Sequence, residues 1–175
     1  MRTSVTVLAL ILGFMIVAHT QAPIDPKLQG QLKTVFPSAS SFSPKDGDPP
    51  HFKAFKIGPT PATPDLAGFV FWTTELEPLE RGYDGPIKML VGMDTSGVLT
   101  GVLVVQHHEP YGNFSVEPPA FAAQFKGKSI RDGFKVGVDV AAVSGATISV
   151  TSATRAIRNS ARRVATRLLT SGPVK

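Results

Sequence analysis

Residues 86–106, PIKMLVGMDTSGVLTGVLVVQ, decide the fold. PIKMLVGM reads as one strand and VLTGVLVVQ as its return. Asp94-Thr95-Ser96-Gly97 joins them, with the glycine where a tight turn calls for positive φ. Two apolar runs across so short a turn predict an antiparallel β-hairpin. Upstream, Leu66–Thr74 (LAGFVFWTT) is β-branched and aromatic and reads as a buried strand, with His51–Ile57 (HFKAFKI) as a shorter, mixed one. Ser38–Pro50 and the three-proline stretch Gly58–Asp65 read as loop and turn. Lys27–Phe36 places Leu28, Leu32, Val35 and Phe36 at helical spacing.

Downstream, Glu117–Phe125 (EPPAFAAQF) predicts a short helix that tolerates prolines in its first turn. Phe134–Val143, with Val136, Val138 and Val140 alternating, predicts a strand or extended segment. A long helix follows from about Ser149 to Leu169. Ala153, Ile157, Ala161, Val164 and Leu168 form its apolar stripe, and Ser171-Gly172-Pro173 ends it. Interspersed strands with helices at both ends predict an α+β fold, a mainly antiparallel sheet with a central β-hairpin, packed against helices that include the long C-terminal one.

The chain has 175 residues, enough for one domain with a sizeable core, and only 18% of them are charged, which excludes a disordered chain. It contains no cysteine, so disulfides, thiolate metal sites and thiol nucleophiles are excluded. Its formal net charge is +5. Charge alone would permit nucleic acid or an anionic membrane as partner. The N-terminus argues against nucleic acid. Arg2 precedes the apolar run Val5–Ala18, and Thr20-Gln21-Ala22 offers small residues for cleavage before Pro23. The run is short for a bilayer span, so residues 1–22 read as a secretory signal peptide, with an uncleaved anchor as the alternative. Either puts residues 23–175, read as a single domain, outside the cytoplasm, periplasmic or secreted. Arg155, Arg158, Arg162, Arg163 and Arg167 crowd the last helix. They read as a solvated face, or as a dock for an acidic partner or lipid head groups.

Three places carry candidate chemistry. Ser144-Gly145-Ala146-Thr147 directly precedes the long helix, whose first turn presents unpaired N–H groups and the positive end of the helix dipole. A phosphate suits such a place, and the Thr147 hydroxyl is either a helix cap or a site of esterification there. Tyr83, in the turn Gly82–Gly85, could border a planar ligand. His107-His108-Glu109-Pro110 ends the hairpin; adjacent histidines on a strand face opposite ways and make poor co-ligands, so no metal site is expected. His108 and Glu109 are expected beside a pocket, with Glu109 accepting from a ligand N–H. No nucleotide-binding loop, nucleophile elbow or zinc-protease motif is present, and no catalytic residue is assigned.

Residues 82–112 (GYDGPIKMLVGMDTSGVLTGVLVVQHHEPYG), 125–130 (FKGKSI) and 143–157 (VSGATISVTSATRAI) together resemble, in order, the FMN-binding domain family. That family occurs in the flavin subunits of sodium-pumping NADH:quinone reductase and of the Rnf complex. The HHEP variant is most similar to the extracytoplasmic flavin domain of the membrane regulator of nitrous oxide reduction, a likeness extending over roughly residues 30–169. The resemblance implies FMN as cofactor, joined through its phosphate to Thr147 by a separate flavin transferase with FAD as donor. Ser144, Gly145 and Ala146 would form the turn around the phosphate, with Tyr83, His108 and Glu109 near the ring. It implies electron transfer to or from a redox protein or membrane complex, with a non-catalytic accessory or sensor module for metalloenzyme maturation as the alternative. One position departs from the family pattern: the acid usual three residues before the serine is Ala141 here, with Asp139 two residues earlier.

Overall fold

The computed structural model describes residues 24–58 and 64–170. The expected signal segment, most of the three-proline turn and the helix-ending Ser-Gly-Pro lie outside the described residues. Helix α1 (Pro26–Val35) is followed by strands β1 (Ser41–Phe42), β2 (Phe52–Lys56) and β3 (Asp65–Trp72), then a single helical turn, α2 (Thr73–Leu76). Strands β4 (Lys88–Asp94) and β5 (Leu99–Gln106) form the hairpin. Short helices α3 (Gly112–Ser115) and α4 (Pro119–Ala123) lead to the long α5 (Thr147–Leu168). The strands form one antiparallel sheet in sequence order, so the fold is α+β. The hairpin lies central in the chain and makes one end of the sheet, with β3 its middle strand.

The hairpin turn closes as its residues require. Gly97 has φ +80°, and the Asp94 carboxylate accepts the N–H groups of Ser96 (2.8 Å) and Val98 (2.9 Å). Strand alternation sorts the side chains between two cores. Phe69, Phe71, Met89, Val91 and Met93 face α5, where Val150, Ala153, Ile157, Ala161 and Val164 are all buried. Val70, Trp72 and Leu90 face the other way, onto Leu32 and Val35 of α1. Covering both faces is why β3 and β4 read as continuous apolar runs rather than alternating ones.

The helix α1 comes unusually close to the sheet at one point. Gly92 and Gly101 are cross-strand partners, and a Cβ on either would lie 2.5 Å or 2.9 Å from the Val35 carbonyl oxygen. Thr100 Oγ1 donates to that same oxygen at 2.6 Å. Gly92→Ala must therefore push the end of α1 off the sheet. A loss of about 1–3 kcal/mol is expected by urea unfolding, the usual cost of overpacking; an unchanged midpoint would refute this close packing.

Several expected elements differ. Helix α5 begins at Thr147, two residues before the expected start, and the short helix contracts to Pro119–Ala123. The strand through Trp72 gives way to α2 at Thr73. The extended segment expected at Phe134–Val143 is a compact loop. Gly137 takes φ +85° and Phe134 φ +51°, while the Asp139 carboxylate accepts the N–H groups of Phe134 (2.9 Å) and Lys135. Those turns bury Phe134 and Val140 and leave Val138 80% exposed, so the valine alternation has no sheet to serve.

Candidate functional site: a cleft at the start of the long helix

The turn before α5 builds the site from backbone geometry. Gly145 takes φ +79°, and the Ala146 N–H donates to the Val143 carbonyl at 3.1 Å. Ala146 is the cap residue and offers no side-chain acceptor. The N–H groups of Thr147, Ile148 and Ser149 thus have no acceptor inside the helix. Thr147 is the first helical residue and is exposed. It does not cap the helix: Ala146 occupies that position.

A cleft of about 460 Å³ opens over this turn. Gly145, Ala146, Thr147 and Ile148 form its floor, and Tyr83, Pro110 and Tyr111 line it from across. Three large side chains stand exposed around it: Tyr83 at 70%, Tyr111 at 54% and Ile148 at 56%. The expected residues Thr147, Ala146, Gly145 and Tyr83 are therefore brought together. Ser144 is exposed in the same turn but does not line the cleft.

His108 and Glu109 do not line it either. His108 is exposed at the end of the hairpin. Glu109 turns inward and is only 6% exposed. One carboxylate oxygen accepts the Tyr83 N–H (2.9 Å) and the Ser149 hydroxyl, and the other accepts the Asp84 N–H (3.1 Å). Its donors are protein groups, where the sequence suggested a ligand N–H. The carboxylate ties the Tyr83 turn to the first turn of α5, which sets the width of the cleft. Gly82 makes room for it, because a Cβ there would lie 2.3 Å from Glu109 Oε1. His107 supports the arrangement: its Nδ1 accepts the Glu109 N–H at 3.1 Å, leaving Nε2 to donate to Glu117 at 2.9 Å. Tyr111 was missed in the sequence, although the run HHEPYG placed an aromatic two residues after Glu109.

The basic helix is not a free basic face. Arg155 makes two hydrogen bonds to Glu80 (2.6 and 2.7 Å), and Arg163 pairs with Glu77 at 2.9 Å. Arg162 donates to the carbonyls of Ile130 and Asp132, both at 2.9 Å. These arginines fasten neighbouring loops to α5. The Arg155 guanidinium holds the Glu80 carboxyl below the usual carboxylate range, assisted by the Ser152 hydroxyl against the opposing effect of burial. A depressed folded-state value means that its contribution is full above the unfolded value, about 4.3, and is lost as pH falls through the folded one. Acid titration followed by thermal melting should show this loss below about pH 4, reduced in Glu80→Gln. Identical profiles for both proteins would remove this assignment.

Residues 82–162 match the FMN-binding domain family. The stretch contains Tyr83, Glu109 and the whole turn before α5. The chain carries an FMN-binding domain. It is also 34% identical, over 95 residues, to a subunit of the ion-translocating oxidoreductase complex of Vibrio vulnificus (strain YJ016). That match covers 49% of this chain and 45% of the relative, so the chain spans less than half of that protein's length.

The cleft of the FMN-binding domain suits FMN chemically. A phosphate needs donors and positive potential, which the uncapped start of the 22-residue α5 offers. A planar tricyclic ring needs flat apolar walls, which Tyr83, Tyr111 and Ile148 offer. The volume lies within the range usual for small-ligand sites, about 300–1,000 Å³. Among the described residues there is no group of three or more His, Cys, Asp or Glu placed to hold a metal ion. No helix among them is long and apolar enough to cross a membrane.

Proposed function

We propose that this protein is an extracytoplasmic electron-transfer flavoprotein whose FMN is held by a phosphoester to Thr147. The observation that carries the reading is the position of the Thr147 hydroxyl: exposed, first in an uncapped 22-residue helix, and on the floor of an aromatic-walled cleft. Thr147 Oγ1 attacks the flavin-side phosphorus of a donor FAD. The Thr–O–P bond forms, the pyrophosphate bond breaks, AMP leaves, and a base on a separate flavin transferase takes the hydroxyl proton. The N–H groups of the first turn neutralise the ester's remaining charge. Gly145 supplies the left-handed backbone, at φ +79°, that turns the chain into the helix. Tyr83, Tyr111 and Ile148 orient the ring and shield part of it from water. Bound FMN supplies one- and two-electron redox chemistry, which the protein positions and tunes. The relative's place in an ion-translocating oxidoreductase complex supports a membrane electron-transfer complex, or a redox protein serving one, as partner. The apolar N-terminal run supports export.

One observation favours a second reading, an accessory or sensor module without the ester. Ala141 replaces the acid usual in the family, and Asp139 cannot stand in for it while its carboxylate closes the 134–139 loop. Intact-mass analysis separates the two. The exported protein, co-expressed with a flavin transferase, should gain the mass of one FMN less one water, and Thr147→Val should gain nothing. An unmodified wild type would sink the ester and leave the accessory reading. The same gain in Thr147→Val would move the attachment elsewhere.

A further inference from the structure

Strand β5 is an outer strand of the sheet and pairs with β4 on one side. Its sequence, LTGVLVVQ, contains no charge and no proline. Natural edge strands are commonly blunted by one or the other, because bare backbone groups recruit a further strand. The outer groups of Leu99 are already taken: its N–H donates to the Lys128 carbonyl and its carbonyl accepts the Gly127 N–H, both at 2.8 Å. Among the described residues, the backbone of 101–106 bonds to no segment beyond β4. Residues 101–104 also pair with β4 without a register shift, so their outer groups are regularly spaced.

This free edge opens into a groove of about 390 Å³ with a largely apolar lining. Thr34 and Pro37, at the end of α1, stand on one side, and Pro119 and Ala122 of α4 on the other. Two further lining residues carry opposite charges at opposite ends of the strand. Lys126 is exposed and forms no ion pair among the described residues. It precedes Gly127, which is bonded to the first residue of β5. Glu117 is held through Oε1 by His107 Nε2, just past the end of β5, and its side chain is 55% exposed. A surface with plus at one end and minus at the other is complementary to itself under an antiparallel two-fold.

We propose that β5 pairs with β5 of a second copy of this chain, antiparallel about a two-fold axis at Leu103. Opposed residues of an antiparallel ladder point their bonding groups the same way, so a self-paired strand centres on a residue rather than between two. An axis at Leu103 sets Val102 opposite Val104 of the partner subunit. It leaves the occupied Leu99 opposite His107 of the partner subunit, beyond that strand. Lys126 then meets Glu117 of the partner subunit, and the same contact recurs across the axis.

The test is sedimentation velocity of the exported protein over a concentration series, with hydrogen exchange of the same samples. A reversible dimer should form as concentration rises and weaken in high salt, with protection at 102–104 rising in step. Lys126→Glu should weaken the dimer about tenfold, since two exposed ion pairs become two repulsions. Combining it with Glu117→Lys restores unlike charges and should return the affinity toward wild type, which damage to the fold would not do. A monomer at millimolar concentration, a dimer indifferent to Lys126→Glu, no recovery in the double variant, or protection rising elsewhere would overturn the proposal. Edge amides protected in a monomer at every dilution would also overturn it and assign the groove to another part of this chain.

Discussion

Glu109→Ala should lose about 3–5 kcal/mol of stability and its FMN together, because three donors, one buried and two part-buried, would lose their shared acceptor. The N–H groups of Tyr83 and Asp84 and the Ser149 hydroxyl all converge on this one carboxylate, which is 6% exposed. Each unmet buried donor costs about 1–3 kcal/mol alone. The sum falls short of additivity because the turn can move toward water once released. That movement carries Tyr83 away from Thr147 and opens the cleft. Glu109→Gln keeps the size but turns one acceptor into a donor facing a donor, so a smaller loss of about 1–2 kcal/mol is expected. Chemical unfolding of the three proteins, with flavin content measured in each, checks the pair of effects. A Glu109→Ala protein losing less than about 1 kcal/mol would mean that the donors find water, and that the carboxylate does not set the cleft.

Phe125→Ala should cost a similar amount, about 3–5 kcal/mol, by a different route. Phe125 is fully buried, stands edge-on to Phe121 with centroids 5.2 Å apart, and stacks with Phe134 at 6.3 Å. It joins α4 to the loop that leads into the site. Removing the ring leaves a cavity in the core on the α5 side of the sheet. The loss should appear as a lower unfolding midpoint, with disorder spreading along residues 133–140. Phe125→Leu, which refills most of the volume, should recover over half of it. A midpoint near wild type in Phe125→Ala would show that α4 and the loop collapse onto the space and that the aromatic stack is not what holds them.

The legible parts of the site were those set by neighbours in sequence. A Gly turn running into an apolar stripe of period 3.6 is a local pattern, and it located Thr147 at the mouth of α5. The Tyr83 turn was local as well. The illegible parts depend on contacts across long stretches of chain. Glu109 looked available to a ligand because its donors lie 25, 26 and 40 residues away. The arginines of α5 looked like an open basic face because Glu80 is 75 residues from Arg155 and Glu77 is 86 from Arg163. The valine alternation at 136–140 has the period of a strand, and the side-chain bonds of Asp139 override it.

By itself the sequence determined the hairpin, the buried strands, the long amphipathic helix and the residues that open that helix. Each follows from periodicity, turn chemistry and capping, which act over a few residues. Only the tertiary structure decided which side chains reach the cleft. Two carboxylates, Glu109 and Asp139, were drawn onto backbone donors, Tyr111 was brought opposite Thr147, and the α5 arginines were fastened to distant loops. Those outcomes depend on where the folded chain leaves donors and acceptors without partners, and no spacing in the sequence records that.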